Sequence, residues 1–121
     1  MRRKARAPRM MPLRRTTPFR SAEEAWFWYV RCQKARDEGA RMEADMARDA
    51  RPCEPDDLYR AVKHLSANSS ITRHHVRVLI DYGKDDRPPD PRCREEEHSC
   101  RLWNEALDRL STVLKKKDII E

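Results

Sequence analysis

The sequence predicts an all-α fold, a small four-helix domain containing a helix-turn-helix-like pair and preceded by a basic arm. Three observations carry this. Apolar residues recur at helical spacing in four separate stretches, cap-forming residues stand ahead of them, and the two glycines and eight prolines concentrate the breaks at a few points. At 121 residues the chain has room for one modest core, and it reads as a single folded unit.

The first helix should start after Ser21, an N-cap with Glu24 three positions on as its capping-box partner. Ala22, Trp26, Tyr29 and Val30 share one face, whereas Phe27 and Trp28 point elsewhere, so the opening turns need cover on more than one side. Beyond Gln33 the residues become small and charged. Gly39 marks a bend or stop, and a continuation to Ala50 as an exposed helix is supported by the pairs Asp37 with Arg41 and Arg41 with Asp45. The break from Arg51 to Pro55 leads to a second helix with Pro55 at its first position and Leu58, Ala61, Val62 and Leu65 facing inward. Ser66 to Ser70 forms the connection. Ser70 or Thr72 caps a third helix whose inward stripe is Val76, Leu79 and Ile80, with Gly83 just past its end. The same residues are rich in β-branched side chains, but they do not alternate and no partner strand is evident. Pro88 and Pro89 stop any helix there, because each bars the helical region to its predecessor. Asp90 then caps the last helix with Pro91 at its first position, acids early, and Lys115 to Lys117 at its end. Its stripe comprises Cys100, Trp103, Ala106, Leu107, Leu110, Val113 and Leu114.

Net charge is +6, from 27 basic and 21 acidic residues, and it is unevenly placed. Residues 1–20, read as the arm, carry Arg2, Arg3, Lys4, Arg6, Arg9, Arg14, Arg15 and Arg20 and no acid, a charge of +8. Residues 21–121, read as the domain, hold the other 19 basic residues against all 21 acids, a charge of −2. Translation from Met10 would remove five of the basic residues and leave +1. No stretch approaches the apolar length of a membrane helix, and the N-terminus lacks the apolar segment of a secretory signal. Its arginine-rich character resembles a transit segment, but Pro8, Pro12 and Pro18 interrupt the amphipathic helix such segments form. A cytoplasmic protein without membrane partners is the expectation.

Cys32, Cys53, Cys93 and Cys100 stand in separate contexts, so free thiols are expected rather than a disulfide framework. The run from Cys93 through His98 to Cys100 invites a zinc reading. In a continuous helix, however, the two cysteines are about 10 Å apart and His98 points away from both. No Cys pair has the close spacing of a structural zinc site, and no metal or other cofactor is expected. Nor is there a phosphate-binding glycine loop, a nucleophile elbow or a His-Glu-x-x-His sequence. Clustered carboxylates such as Asp56 with Asp57, Asp85 with Asp86, and Glu95 to Glu97 fall at helix starts or turns, where capping and solubility account for them. His74 and His75 diverge on a helix, and no catalytic residue is assigned.

The stronger lead is nucleic acid. Leu58 to Ser66 and Thr72 to Tyr82 have the lengths and pattern of a helix-turn-helix pair, whose outward face would offer Arg73, His74 and Arg77, with Lys84 and Arg87 beyond. Residues 59 to 87 hold six basic and three acidic residues, a local +3 in an acidic body. DNA is the favoured partner and RNA the second, with the arm adding non-specific attraction. The connection lacks the glycine common in such turns, and a plain helical hairpin has the same pattern. The rival class is a helical protein-interaction or structural module. There Trp26, Phe27, Trp28 and Tyr29, arrayed around a helix, would form an interface with another protein or in a homo-oligomer. The same aromatics would equally serve a central helix in a bundle.

The phrases FRSAEEAWFWYVRCQKARDEGAR, RPCEPDDLYRAV, DRPPDPRCREEE and LWNEALDRLSTVL resemble a group of small alphaproteobacterial helical proteins without an assigned activity. The resemblance covers residues 19 to 120 and implies a bacterial cytoplasmic protein. It implies no catalysis.

Overall fold

A computed structural model describes residues 16–39 and 51–121. Among them are four α-helices: α1 (Ala22–Asp37), α2 (Pro55–Ala67), α3 (Arg73–Lys84) and α4 (Glu97–Lys116), the last preceded by a 3-10 turn at Arg94–Glu96. There is no strand among these residues; an isolated parallel bridge joins Phe19 and Ile120. The all-α prediction is borne out. Every pair of helices is in contact, and α1 lies against the other three.

Helix α1 starts where predicted, with the Glu24 amide donating to Ser21 Oγ at 3.2 Å. The Glu24 carboxylate reaches back one residue further than a capping box would take it, accepting from the Arg20 amide at 2.7 Å. Ala22, Ala25, Trp26, Trp28, Tyr29 and Cys32 are buried, so this helix is covered on several sides. It ends at Asp37, and Gly39 takes a left-handed φ of 70° as its amide donates to Arg36 O. The expected continuation to Ala50 lies outside the described residues.

Helix α2 buries Leu58, Ala61, Val62 and Leu65, the four positions its periodicity names. Pro55 begins it, and Glu54 and Asp57 form the reciprocal cap. Thr72, rather than Ser70, caps α3. The connection between them turns at Ser69, which adopts φ 65° in the role a glycine would ordinarily fill.

Two expectations for α3 are corrected. Gly83 lies inside the helix and is buried, while the left-handed residue that ends it is Asp86 at φ 57°. The inward residues are Val78, Leu79 and Gly83, whereas Val76 is half-buried and Ile80 is 39% exposed. The cause is the approach of α1. A Cβ on Gly83 would stand 2.9 Å from Val30 Cγ2 and 3.0 Å from Trp26 Nε1, so a side chain would be excluded at that crossing. Trp26 is held there by its indole N–H, which donates to Leu79 O at 2.8 Å.

The last helix also begins later than predicted. Asp90 Oδ1 accepts from the Arg92 amide at 2.9 Å, a local turn that competes with a helical cap, and the Asp90 amide donates to Glu96 Oε1 at 2.8 Å. Cys93 consequently precedes the helix. From Glu97 onward the expected stripe holds except at Cys100, which is half-buried: Trp103, Ala106, Leu110 and Leu114 are buried, with Leu107 and Val113 packed beside them. After α4, Asp118 at φ 60° turns the chain so that Ile119 and Ile120 enter the core. There they meet Phe19, fully buried although it falls within the segment read as the arm. Phe19 N–H donates to Ile119 O at 3.0 Å and Glu121 N–H to Phe19 O at 2.9 Å.

Candidate nucleic-acid interface and a neighbouring groove

The start of α3 is fixed by a cap in which histidine replaces the usual acid. Thr72 Oγ1 accepts from the His75 amide at 3.4 Å, and His75 Nδ1 accepts from the Thr72 amide at 3.0 Å. With Nδ1 accepting, the neutral ring carries its proton on Nε2, which donates to Glu105 Oε1 of α4 at 2.8 Å. That bond holds the Glu105 carboxyl below its ordinary range. His75 therefore ties the third helix to the fourth. His74, one residue earlier, faces out.

Arg73, His74 and Arg77 are all exposed and together line one shallow hollow on the outer face of α3. Arg77 Nε lies 3.5 Å from Asp81 Oδ2, an exposed pair one turn apart that water and salt screen. Lys84 stands at the far end of the helix, about 16 Å along its axis from Arg73, and lines a different depression. Its carbonyl accepts from Lys34 Nζ at 2.6 Å. Arg87 is engaged within the fold: Nη1 and Nη2 each lie 3.1 Å from a Glu96 carboxylate oxygen, and its guanidinium sits 5.2 Å from the Tyr82 ring centroid. The hydrogen bond to Arg87 lowers the Glu96 pKa. Of the five basic residues picked out by sequence, three thus share a surface, one stands apart and one is paired. Of the arm, Arg20 is exposed, and Arg2, Arg3, Lys4, Arg6, Arg9, Arg14 and Arg15 lie outside the described residues.

The aromatic positions go mainly to the core. Trp26, Trp28 and Tyr29 are at most 9% exposed, and Phe27 is half-buried with its ring 5.5 Å from that of Trp103. Phe19 packs on Trp28 at 5.1 Å, and the Trp103 indole donates to Glu23 Oε1 at 3.0 Å.

Comparison with protein-family models, with curated proteins and with solved structures returns no match. Function therefore has to be read from surface chemistry. Among the described residues no three His, Cys, Asp or Glu side chains gather as metal ligands, and no helix is long and apolar enough to cross a membrane. All four cysteines are free thiols.

A groove of about 480 Å³ between α1, α2 and α3 is not announced by the sequence pattern. Trp26, Tyr29 and Val30 form one wall, Tyr59 and Val62 a second, and Val76 and Ile80 a third. Its one sequence signal is the pairing of Tyr59 with Lys63 and of Val76 with Ile80 at four-residue spacing. Apolar periodicity assigns the second pair to the core because it cannot distinguish a packed face from an open one.

Proposed function

We propose that this domain associates with duplex DNA through the N-terminal half of α3. One observation carries the reading: Arg73, His74 and Arg77 are exposed together on the opening turns of a helix joined to its predecessor by a short connection. Helix-turn-helix proteins present this part of the second helix to base edges, and arginine suits both phosphate and guanine. The helix dipole adds partial positive charge at the same end. Lys84 and Arg87 are secondary in this reading, because one lies at the far end and the other is neutralised by Glu96. The basic arm supplies non-specific attraction.

Duplex binding measured at two salt concentrations tests this, using the full chain, a form beginning at Met11, and an Arg73→Ala/Arg77→Ala variant. The double variant should bind more weakly and reduce the salt slope by about one for each phosphate it no longer neutralises. Unchanged binding by that variant, with loss on removing the first ten residues, would reduce the interaction to attraction by the arm. Tighter binding of a single-stranded RNA than of the duplex would redirect the reading to RNA.

A further inference from the structure

Independently of the nucleic-acid reading, we propose that the groove between α1, α2 and α3 docks an amphipathic helix of a partner protein whose apolar face is flanked by carboxylates. Isolated exposed hydrophobics are ordinary, and their convergence on one depression is not. Tyr59 at 52% and Ile80 at 39% exposure are the large hydrophobics left exposed among the described residues, and both line this groove. They come from α2 and α3, and Trp26, Val62 and Val76 line the same groove beside them. Core packing does not require this arrangement, since α2 buries its own stripe and α3 turns Val78 and Leu79 inward.

Charge selects the occupant. The charged residues lining the groove are Lys63 and Lys84, and no carboxylate joins them. Lys63 Nζ lies 5.8 Å from the Tyr59 ring centroid, and Lys34 Nζ is bound to the Lys84 carbonyl, so a third ammonium stands beside the rim. This positive rim belongs to residues 21–121, whose overall charge is −2. It is therefore a local feature. An apolar helix flanked by Glu or Asp matches both the apolar lining and the rim, inserting side chains one turn apart as helix-in-groove complexes do. Strand addition has no sheet edge to join among the described residues.

The test uses the full chain and three labelled helical peptides with the same leucine face, flanked by Glu, Gln or Lys, read by fluorescence anisotropy. The Glu peptide should bind at least about tenfold more tightly than the Lys peptide. Ile80→Ser and Tyr59→Ser should each weaken it by about tenfold with the helical circular dichroism unchanged, since both side chains are exposed. Lys63→Glu/Lys84→Glu should invert the order of the peptides. Equal affinity for all three peptides, or indifference to both serine variants, would overturn the proposal. So would a concentration-dependent dimer in sedimentation equilibrium that Ile80→Ser dissolves, because a second copy would then fill the groove.

Discussion

At Gly83 an added methyl group would fall 2.9 Å from Val30 Cγ2 and 3.0 Å from Trp26 Nε1. Neither neighbour yields easily: valine is stiff about its first torsion, and the indole is pinned to Leu79 O. Gly83→Ala should therefore destabilise the protein by about 1–3 kcal/mol of overpacking, outweighing a helix-propensity gain of about 1 kcal/mol. Urea unfolding measures the sum, and a more stable variant would contradict the close approach. Cys53 offers a second residue-scale test. Burial, followed by the nearby Asp57 and Glu54 charges, raises its thiol to about 11. Because the folded value is raised, the associated stability is fully present below the ordinary thiol value and is lost as pH rises through about 11. Cys53→Ala should remove that alkaline loss, seen as a flatter dependence of unfolding free energy on pH. Neither effect is legible from residue type. Gly83 looks like a helix terminator and Cys53 like a residue in an open break, because only the neighbours reveal crowding or burial.

Among the elements, α2 is the most legible in sequence, since a short helix with one apolar face has a single way to bury it. Its start is equally plain, because Pro55 is preorganised for a first helical position. The beginning of α4 departs from its sequence pattern through competition. Asp90 followed by Pro91 is a good local cap, yet Asp90 Oδ1 turns onto the Arg92 amide, and Glu96 is claimed by Arg87 from outside the helix. Glu96→Gln should loosen this link and probe it by pH. Its carboxyl is depressed by the Arg87 hydrogen bond and then by that from the Asp90 amide. The contribution is thus present above the ordinary carboxylate range and disappears as pH falls through the lowered value. The wild-type protein should exceed Glu96→Gln in stability near neutrality, and the two curves should converge in acid. Convergence in alkali instead would show that another group dominates. Within α4, Leu110 is fully buried, and Leu110→Ala should cost about 2–5 kcal/mol in a denaturant titration.

Across the whole molecule, the chain's two described extremities are joined. Phe19 exchanges backbone hydrogen bonds with Ile119 and Glu121, packs on Trp28, and carries the Arg51 guanidinium 4.3 Å above its ring. Phe19→Ala should cost about 3–5 kcal/mol and speed amide exchange at Phe19 and Glu121 relative to the centre of α4. A change confined to stability, with exchange at these amides unaltered, would mean that packing and the backbone link are independent. By itself the sequence determined the all-α class, the four helices, the Ser21 cap of α1, the Pro55 start of α2 and the buried face of α2. These follow from the 3.6-residue period and from local cap and proline geometry, which act within a few residues of chain. The tertiary structure alone decided that Phe19 belongs to the core, that Gly83 admits α1, that Arg87 is paired, and that Val76 and Ile80 flank an open groove. Each of those depends on which surfaces meet across long sequence separations, and periodicity gives only the face that is apolar, never the neighbour that covers it or leaves it bare.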